Sequence, residues 1–208
     1  MATMREKLKN NETINLSERI IIFIGPEGSG KSTNAQQLAN ESGIPHLSTG
    51  NILREVAAND TGRYGEAVRK MFFEHTYLDG ELFSEILRDR LAKEDTKKGF
   101  ILDGGLRTVA ETQNFLEILK TAGRNLPTTV VYLQISRETC FERLVTGTNA
   151  RKRDDDTIEA INSRLEKFYD QLEERLKIIK NYPGWELIEV DASGPAEEVY
   201  RTIRDQLI

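Results

Sequence analysis

The residues Gly25-Pro26-Glu27-Gly28-Ser29-Gly30-Lys31-Ser32-Thr33 fit the spacing G-x-x-x-x-G-K-[ST] without a mismatch. Each residue type in it answers a demand of holding a phosphate chain. The glycines let the backbone wrap so that successive N–H groups point inward, and a helix beginning at the lysine adds its N-terminal amides and dipole. Lys31 supplies a point charge for β- and γ-phosphates. Ser32 offers a hydroxyl to Mg2+, a cation that keeps several waters and takes few protein ligands. Gly28, Ser29, Gly30, Lys31, Ser32 and Thr33 are therefore candidate contacts to a nucleotide such as ATP. The motif needs a strand before it and a helix after it. The apolar run 20–24 and the amphipathic stretch from Lys31 supply both.

A phosphate loop serves ATPases, GTPases, kinases and motors, and the arginines narrow the choice. Arg54, Arg107, Arg143, Arg153 and Arg164 lie in or beside segments that begin or end at the carboxyl edges of expected strands, where open α/β sheets bind ligands. Taken singly, any of them reads as a solvated surface charge. Converging beside one phosphate loop, they are what phosphoryl transfer between two anionic substrates requires. Guanidinium groups offset the repulsion between donor and acceptor and neutralise charge on the transferring group.

The elements that must position these groups follow from periodicity. Five β-rich runs at 20–24, 44–48, 100–102, 129–135 and 185–190 alternate with amphipathic segments, a pattern that predicts a parallel sheet covered by helices. The first helix runs from Lys31 to about Glu41 and stops at Gly43, with Pro45 beyond it. Helices at 51–58, 64–74 and 81–93 separate the second and third strands, more than a crossover needs, so this stretch is a candidate subdomain. A helix at 137–145 follows the fourth strand. One long helix is expected from about Thr157 to Lys180, with Ile161, Leu165, Phe168, Leu172, Leu176 and Ile179 on a single packing stripe. Residues 196–207 close the chain as a helix.

Composition bounds the rest. A chain of 208 residues suits one α/β domain with small insertions. With 30% charged residues and a formal net charge of -5, no global basic field draws it to nucleic acid or an anionic membrane. No apolar run approaches the roughly 20 residues of a membrane span, and the polar, lysine-rich N-terminus lacks the apolar centre of a secretory signal. The single cysteine, Cys140, excludes an internal disulfide and any multi-cysteine zinc site. These features predict a soluble protein and fit a cytoplasmic one, with residues 1–18 a lead-in to the first strand.

The motifs around the arginines resemble those of the adenylate kinase group of nucleoside monophosphate kinases, from about Arg19 to the C-terminus. His46-Leu47-Ser48-Thr49-Gly50-Asn51-Ile52-Leu53-Arg54 is similar to the segment ending S-T-G-D-x-x-R that opens the family's monophosphate-binding subdomain. Gly99-Phe100-Ile101-Leu102-Asp103-Gly104-Gly105-Leu106-Arg107-Thr108 resembles G-F-[IL]-L-D-G-[FY]-P-R-T. Arg153-Asp154-Asp155-Asp156 and the later Arg164 resemble the stretch flanking the family's lid, and Asp191-Ala192-Ser193-Gly194-Pro195 its C-terminal donor-base loop.

The resemblance implies an α/β fold like that of phosphate-loop NTPases: a parallel five-stranded sheet flanked by helices, in one domain spanning 19–208. It also implies a monophosphate-binding insert at about 49–80, a short lid at about 146–156, small-molecule partners and a monomeric state. The implied reaction is reversible, Mg2+-dependent transfer of the ATP γ-phosphoryl to AMP. Thr49, Arg54, Tyr77, Leu78, Gly104 and Glu111 would lie at the acceptor, Arg107 on its phosphate, and Asp103 would act on Mg2+ through water beside Ser32. Arg143 and Gly194 would meet the donor nucleotide, and Arg153 and Arg164 would close onto the transferring group.

Several positions depart from the family pattern. Asn51 stands where aspartate is usual, Gly105-Leu106 replaces an aromatic-proline pair and so loses the φ restraint of proline, and Gly147 falls where many members carry another lid arginine. Arg151 or Lys152 could reach the same phosphates. His75 replaces a common glycine and reads as a surface or packing residue. Glu111 falls where glutamine usually reads adenine; an ionised carboxylate only accepts hydrogen bonds, which suits guanine's N1–H and amino group. Thr49, in contrast, is the residue of AMP-selective members. AMP is the expected acceptor, with GMP, UMP, CMP, or a nucleotide-binding homologue of weak catalysis as alternatives.

Overall fold

Alternation along the first strand decides the architecture. In the computed structural model, which describes residues 14–74, 76, 78–146 and 157–208, β1 (Arg19–Ile24) buries every residue after Arg19. Ile20, Ile22 and Ile24 enter one apolar cluster, and Ile21 and Phe23 enter another. A strand buried on both faces belongs at the centre of a parallel sheet with helices above and below.

The other strands are β2 (His46–Ser48), β3 (Gly99–Asp103), β4 (Thr128–Gln134) and β5 (Trp185–Asp191). Among the described residues they form one parallel sheet in the order β2-β3-β1-β4-β5. The predicted five-stranded parallel sheet is therefore present, with strand ends close to the expected ones. From β1 the chain fills one side of the sheet with β2 and β3, then crosses to build β4 and β5. Strand order reverses at β1, and the crevice beyond its carboxyl end is where such sheets receive ligands.

The helices are α1 (Lys31–Ser42), α2 (Thr49–Asn59), α3 (Arg63–Glu74), α4 (Gly80–Leu91), α5 (Val109–Thr121), α6 (Arg137–Phe141), α7 (Ile158–Asp170), α8 (Leu172–Asn181) and α9 (Ala196–Leu207). Apolar residues of α1, α6, α7 and α9 pack on one face of the sheet, and those of α2, α3, α4, α5 and α8 on the other. Gly43 ends α1 with φ 74° and donates its N–H to the Ala39 carbonyl, the stop its position predicted. Among the described residues no helix is long and apolar enough to cross a membrane.

Two expectations need correction. The single helix from 157 to 180 is two, broken at Gln171 (φ -104°, ψ 1°). The apolar stripe continues across the break, so periodicity alone could not reveal it. The physical cause lies in long-range hydrogen bonds made by Gln171 and Arg175, described below. The helix at 137–145 gives way after α6 to a wide π-helical turn, Glu142–Thr146, which carries Arg143. Within the lead-in, Ile14 and Leu16 are buried in the core. Residues 1–13, His75, Tyr77 and the stretch 147–156, with Gly147, Arg151, Lys152, Arg153 and nearly all of the expected lid, lie outside the described residues.

Candidate active site

The loop between β1 and α1 turns over two glycines in the left-handed region, Gly28 (φ 84°) and Gly30 (φ 88°). A Cβ on Gly28 would lie 3.0 Å from the Cys140 carbonyl oxygen, so α6 closes off the outer side of the loop. Asn34 donates from its Nδ2 to the Gly30 carbonyl at 2.8 Å and braces the first turn of α1. Lys31 reaches back over the loop, its Nζ donating to the Gly25 and Pro26 carbonyls at 2.8 Å each. Ser29 Oγ is buried without a hydrogen-bond partner among the described residues. An unsatisfied buried hydroxyl inside a concave turn rimmed by backbone amides is suited to an anion's oxygens.

At the floor of the crevice, Ser32 Oγ donates to Asp103 Oδ2 at 2.6 Å. Ser32 is placed by the start of α1 and Asp103 by the carboxyl end of β3. Two hard oxygen donors beside a phosphate cradle fit a small divalent cation that keeps most of its hydration shell. His46 Nε2 lies 3.9 Å from the same carboxylate. Burial pushes its imidazole below the ordinary pKa, against the pull of Asp103, which favours the neutral form.

A second set of polar groups faces the loop from β2, α2 and the segment after β3. Thr49 is buried, and its Oγ1 donates to the Gly104 carbonyl at 3.0 Å. Arg54 donates from Nη2 to Asn51 Oδ1 at 2.6 Å, so Asn51 points along α2 to an arginine. Arg107 lies with its guanidinium carbon 4.6 Å from the Phe83 ring centroid. Its Nη2 is 3.2 Å from Glu111 Oε1, and its backbone N–H donates to Glu111 Oε2 at 2.8 Å. Glu111 is buried, and in this arrangement both of its oxygens serve Arg107.

Arg143, presented by the π-helical turn, joins distant segments. Its Nη1 donates to the Gly28 carbonyl at 3.3 Å, and its Nη2 to the carbonyls of Ser193 at 3.0 Å and Gly194 at 3.4 Å. Arg164 on α7 lies 3.2 Å from Glu27 of the phosphate loop. These elements enclose one cavity of about 450 Å³, lined by Lys31, Ser32 and Thr33 on one side and by Thr49, Arg54 and Arg107 on the other. Asp103, Gly104, Arg143 and Arg164 line it too. Leu78 is instead buried in the apolar cluster beneath α2 and α3. Tyr77 and Arg153 lie outside the described residues. The arrangement can hold two phosphate groups close together, with cations on both sides of the gap.

Sequence reasoning missed two contributors. Arg175 is completely buried and donates to the carbonyls of Leu106, Phe168 and Gln171. Gln171 Oε1 accepts from the Val109 N–H at 2.9 Å. The available signal was an arginine seven residues beyond Phe168 and four before Ile179, which is the apolar side of the helix, where a solvated charge has no place.

The family model for adenylate kinase matches residues 23–183, a span that includes the phosphate loop, both acceptor-side segments and α7. An adenylate kinase of Leifsonia xyli subsp. xyli is 34% identical over 179 residues, covering 86% of this chain and 88% of the relative. One from Mycobacterium leprae is 33% identical over 180 residues, covering 86% and 94%. One from a Mycobacterium species is 35% identical over 187 residues, again covering 86% and 94%. Likeness that extends over nearly the full length of both partners, with the cavity-lining segments inside the matched span, means that the chain belongs to the adenylate kinase family.

Proposed function

We propose that this protein transfers the γ-phosphoryl group of ATP to AMP, giving two molecules of ADP, in a reversible reaction. The observation that carries the reading is a single cavity shared by a phosphate loop and a separate pair of arginines, Arg54 and Arg107. One nucleotide would need only the first of these; a second anion accounts for the other.

In the proposed reaction an oxygen of the AMP phosphate forms a bond to the γ-phosphorus while the bond to the β-bridging oxygen breaks. The electron pair leaves on the β-phosphate of ADP. No protein nucleophile takes part, so the chain contributes positioning, charge and exclusion of water. The loop amides and Lys31 hold the donor phosphates, with Ser29 Oγ free to join them. Arg107 and Arg54 hold the acceptor phosphate, and Thr49 and Gly104 shape its pocket in the subdomain of α2 and α3. Arg143 ties the loop to the Ser193-Gly194 segment at the donor side, and Arg164 approaches the transferring group from α7. Arg153 is proposed to join it. Ser32 and Asp103 would hold Mg2+, which when bound offsets charge on the β- and γ-phosphates.

The carboxylate at 111 bears on the choice of acceptor base. A free glutamate edge would favour guanine, but Arg107 occupies the Glu111 oxygens, so the carboxylate need not oppose the adenine N1 lone pair. Coupled assays with ATP and each of AMP, GMP, UMP and CMP test the proposal. Turnover is expected with AMP, and a chain that phosphorylates none of the four would refute it.

A further inference from the structure

Leu106 has φ 55° and is fully buried. A residue with a Cβ in the left-handed region crowds its own carbonyl, and such a conformation persists only where its surroundings over-determine it. Here the surroundings hold four main-chain groups of the segment 104–109. Thr49 takes the Gly104 carbonyl at 3.0 Å, Glu111 takes the Arg107 N–H at 2.8 Å, and Gln171 takes the Val109 N–H at 2.9 Å. The Leu106 carbonyl itself is taken by Arg175 Nη1 at 2.8 Å, across 69 residues of sequence.

Arg175 is 0% exposed. Its Nη2 donates to the Phe168 carbonyl at 2.6 Å, its Nε to the Gln171 carbonyl at 3.2 Å, and its guanidinium lies 4.4 Å from the Phe168 ring centroid. Burying a guanidinium is costly unless its donors are satisfied. Two of the three carbonyls belong to the C-terminal end of α7, where unsatisfied acceptors and the helix dipole favour a cation. A capping role would explain those two and stop there. The third bond runs to the residue immediately before Arg107 and is not required by a cap.

We propose that Arg175 is a positioning residue: clamped on the Leu106 carbonyl, it holds the turn whose next residue, Arg107, is aimed into the cavity. Together with Gln171 it makes the break between α7 and α8 the anchor for both ends of the Arg107 segment. Each guanidinium nitrogen donates to a main-chain carbonyl, so although Arg175 borders the cavity, its proposed task is to hold the turn rather than to bind substrate. This inference rests on the reading of Arg107 as the acceptor-phosphate residue.

Steady-state kinetics of Arg175→Met and Arg175→Lys, with thermal unfolding of each, separate the clamp from the cap. Loosening the turn should raise KM for AMP by about tenfold or more and lower kcat, because displacement of about 1 Å at a positioning group is severe. KM for ATP should stay within about twofold of the parent. Arg175→Lys should fall between the parent and Arg175→Met, since an ammonium reaches one carbonyl but cannot bridge three. If both variants merely lower Tm and leave both KM values unchanged, Arg175 is a cap and the proposal fails. If Arg175→Met does not fold, the same split in Arg175→Lys decides. If the parent phosphorylates no monophosphate, the functional reading falls instead. The clamp is then judged by the Arg107 backbone amide resonance in Arg175→Lys: a shift with faster hydrogen exchange supports it, and an unchanged resonance overturns it.

Discussion

Arg107 is held between a carboxylate and an aromatic face, 3.2 Å from Glu111 and 4.6 Å from the Phe83 ring centroid. A guanidinium offers paired N–H donors that fit carboxylate and phosphate alike, so Glu111 engages it much as an anionic substrate would. A lysine at this position keeps the charge and loses the fork. Arg107→Lys should therefore lower kcat by about a thousandfold or more, with Tm close to the parent's because the side chain is partly exposed to the cavity. An undiminished rate in a folded Arg107→Lys variant would remove the guanidinium from the reaction. The arginine was legible from its place two residues after Gly105, but the task of Glu111 was not. Its spacing of four from Arg107 permits an ion pair as readily as a base contact, and only the tertiary structure shows which group its oxygens meet.

Among the elements, the phosphate loop is tightly determined. Gly28 combines a left-handed φ of 84° with an approach that would bring a Cβ to 3.0 Å from the Cys140 carbonyl. Gly28→Ala should thus cost about 1–2 kcal/mol of stability and distort the amides that would face phosphate. Calorimetric titration with an ATP analogue should show affinity reduced by about tenfold or more, the consequence of losing at least about 1.4 kcal/mol of contact; unchanged affinity would mean that the loop adapts. The strand before the loop and the helix after it were readable because each needs only local periodicity. The break at Gln171 was not readable, for its stabilising partners, Val109 and Leu106, lie more than sixty residues away. The π-helical turn that presents Arg143 was hidden for the same reason, since its bonds to Gly28, Ser193 and Gly194 cross the fold.

At the scale of the molecule, a chain of net charge -5 concentrates arginines at one edge of its sheet. Cationic groups gathered in a concave site focus potential there, whatever the total charge. One cavity serving two anions predicts that a molecule carrying two nucleosides joined by a polyphosphate binds more tightly than either mononucleotide. At about 100 times its Kd it should stabilise the fold by about 2.7 kcal/mol, a rise in Tm of about 5–10 °C for a chain of this size. Scanning calorimetry at equal molar ligand concentrations provides the comparison, and a shift no greater than that given by ATP would leave only one nucleotide pocket.

The amino-acid sequence alone determined whatever depends on neighbours along the chain: the glycine cradle, the five strands, the stop at Gly43 and the candidate arginines, because backbone sterics and burial periods of two and 3.6 residues act locally. Tertiary structure decided which groups meet. Glu111 turns to Arg107, Glu27 to Arg164, Arg143 spans loop to loop, and Arg175 settles under Leu106. Those pairings depend on how sheet and helices bring remote segments within a few ångströms, a property that spacing along the chain does not encode position by position.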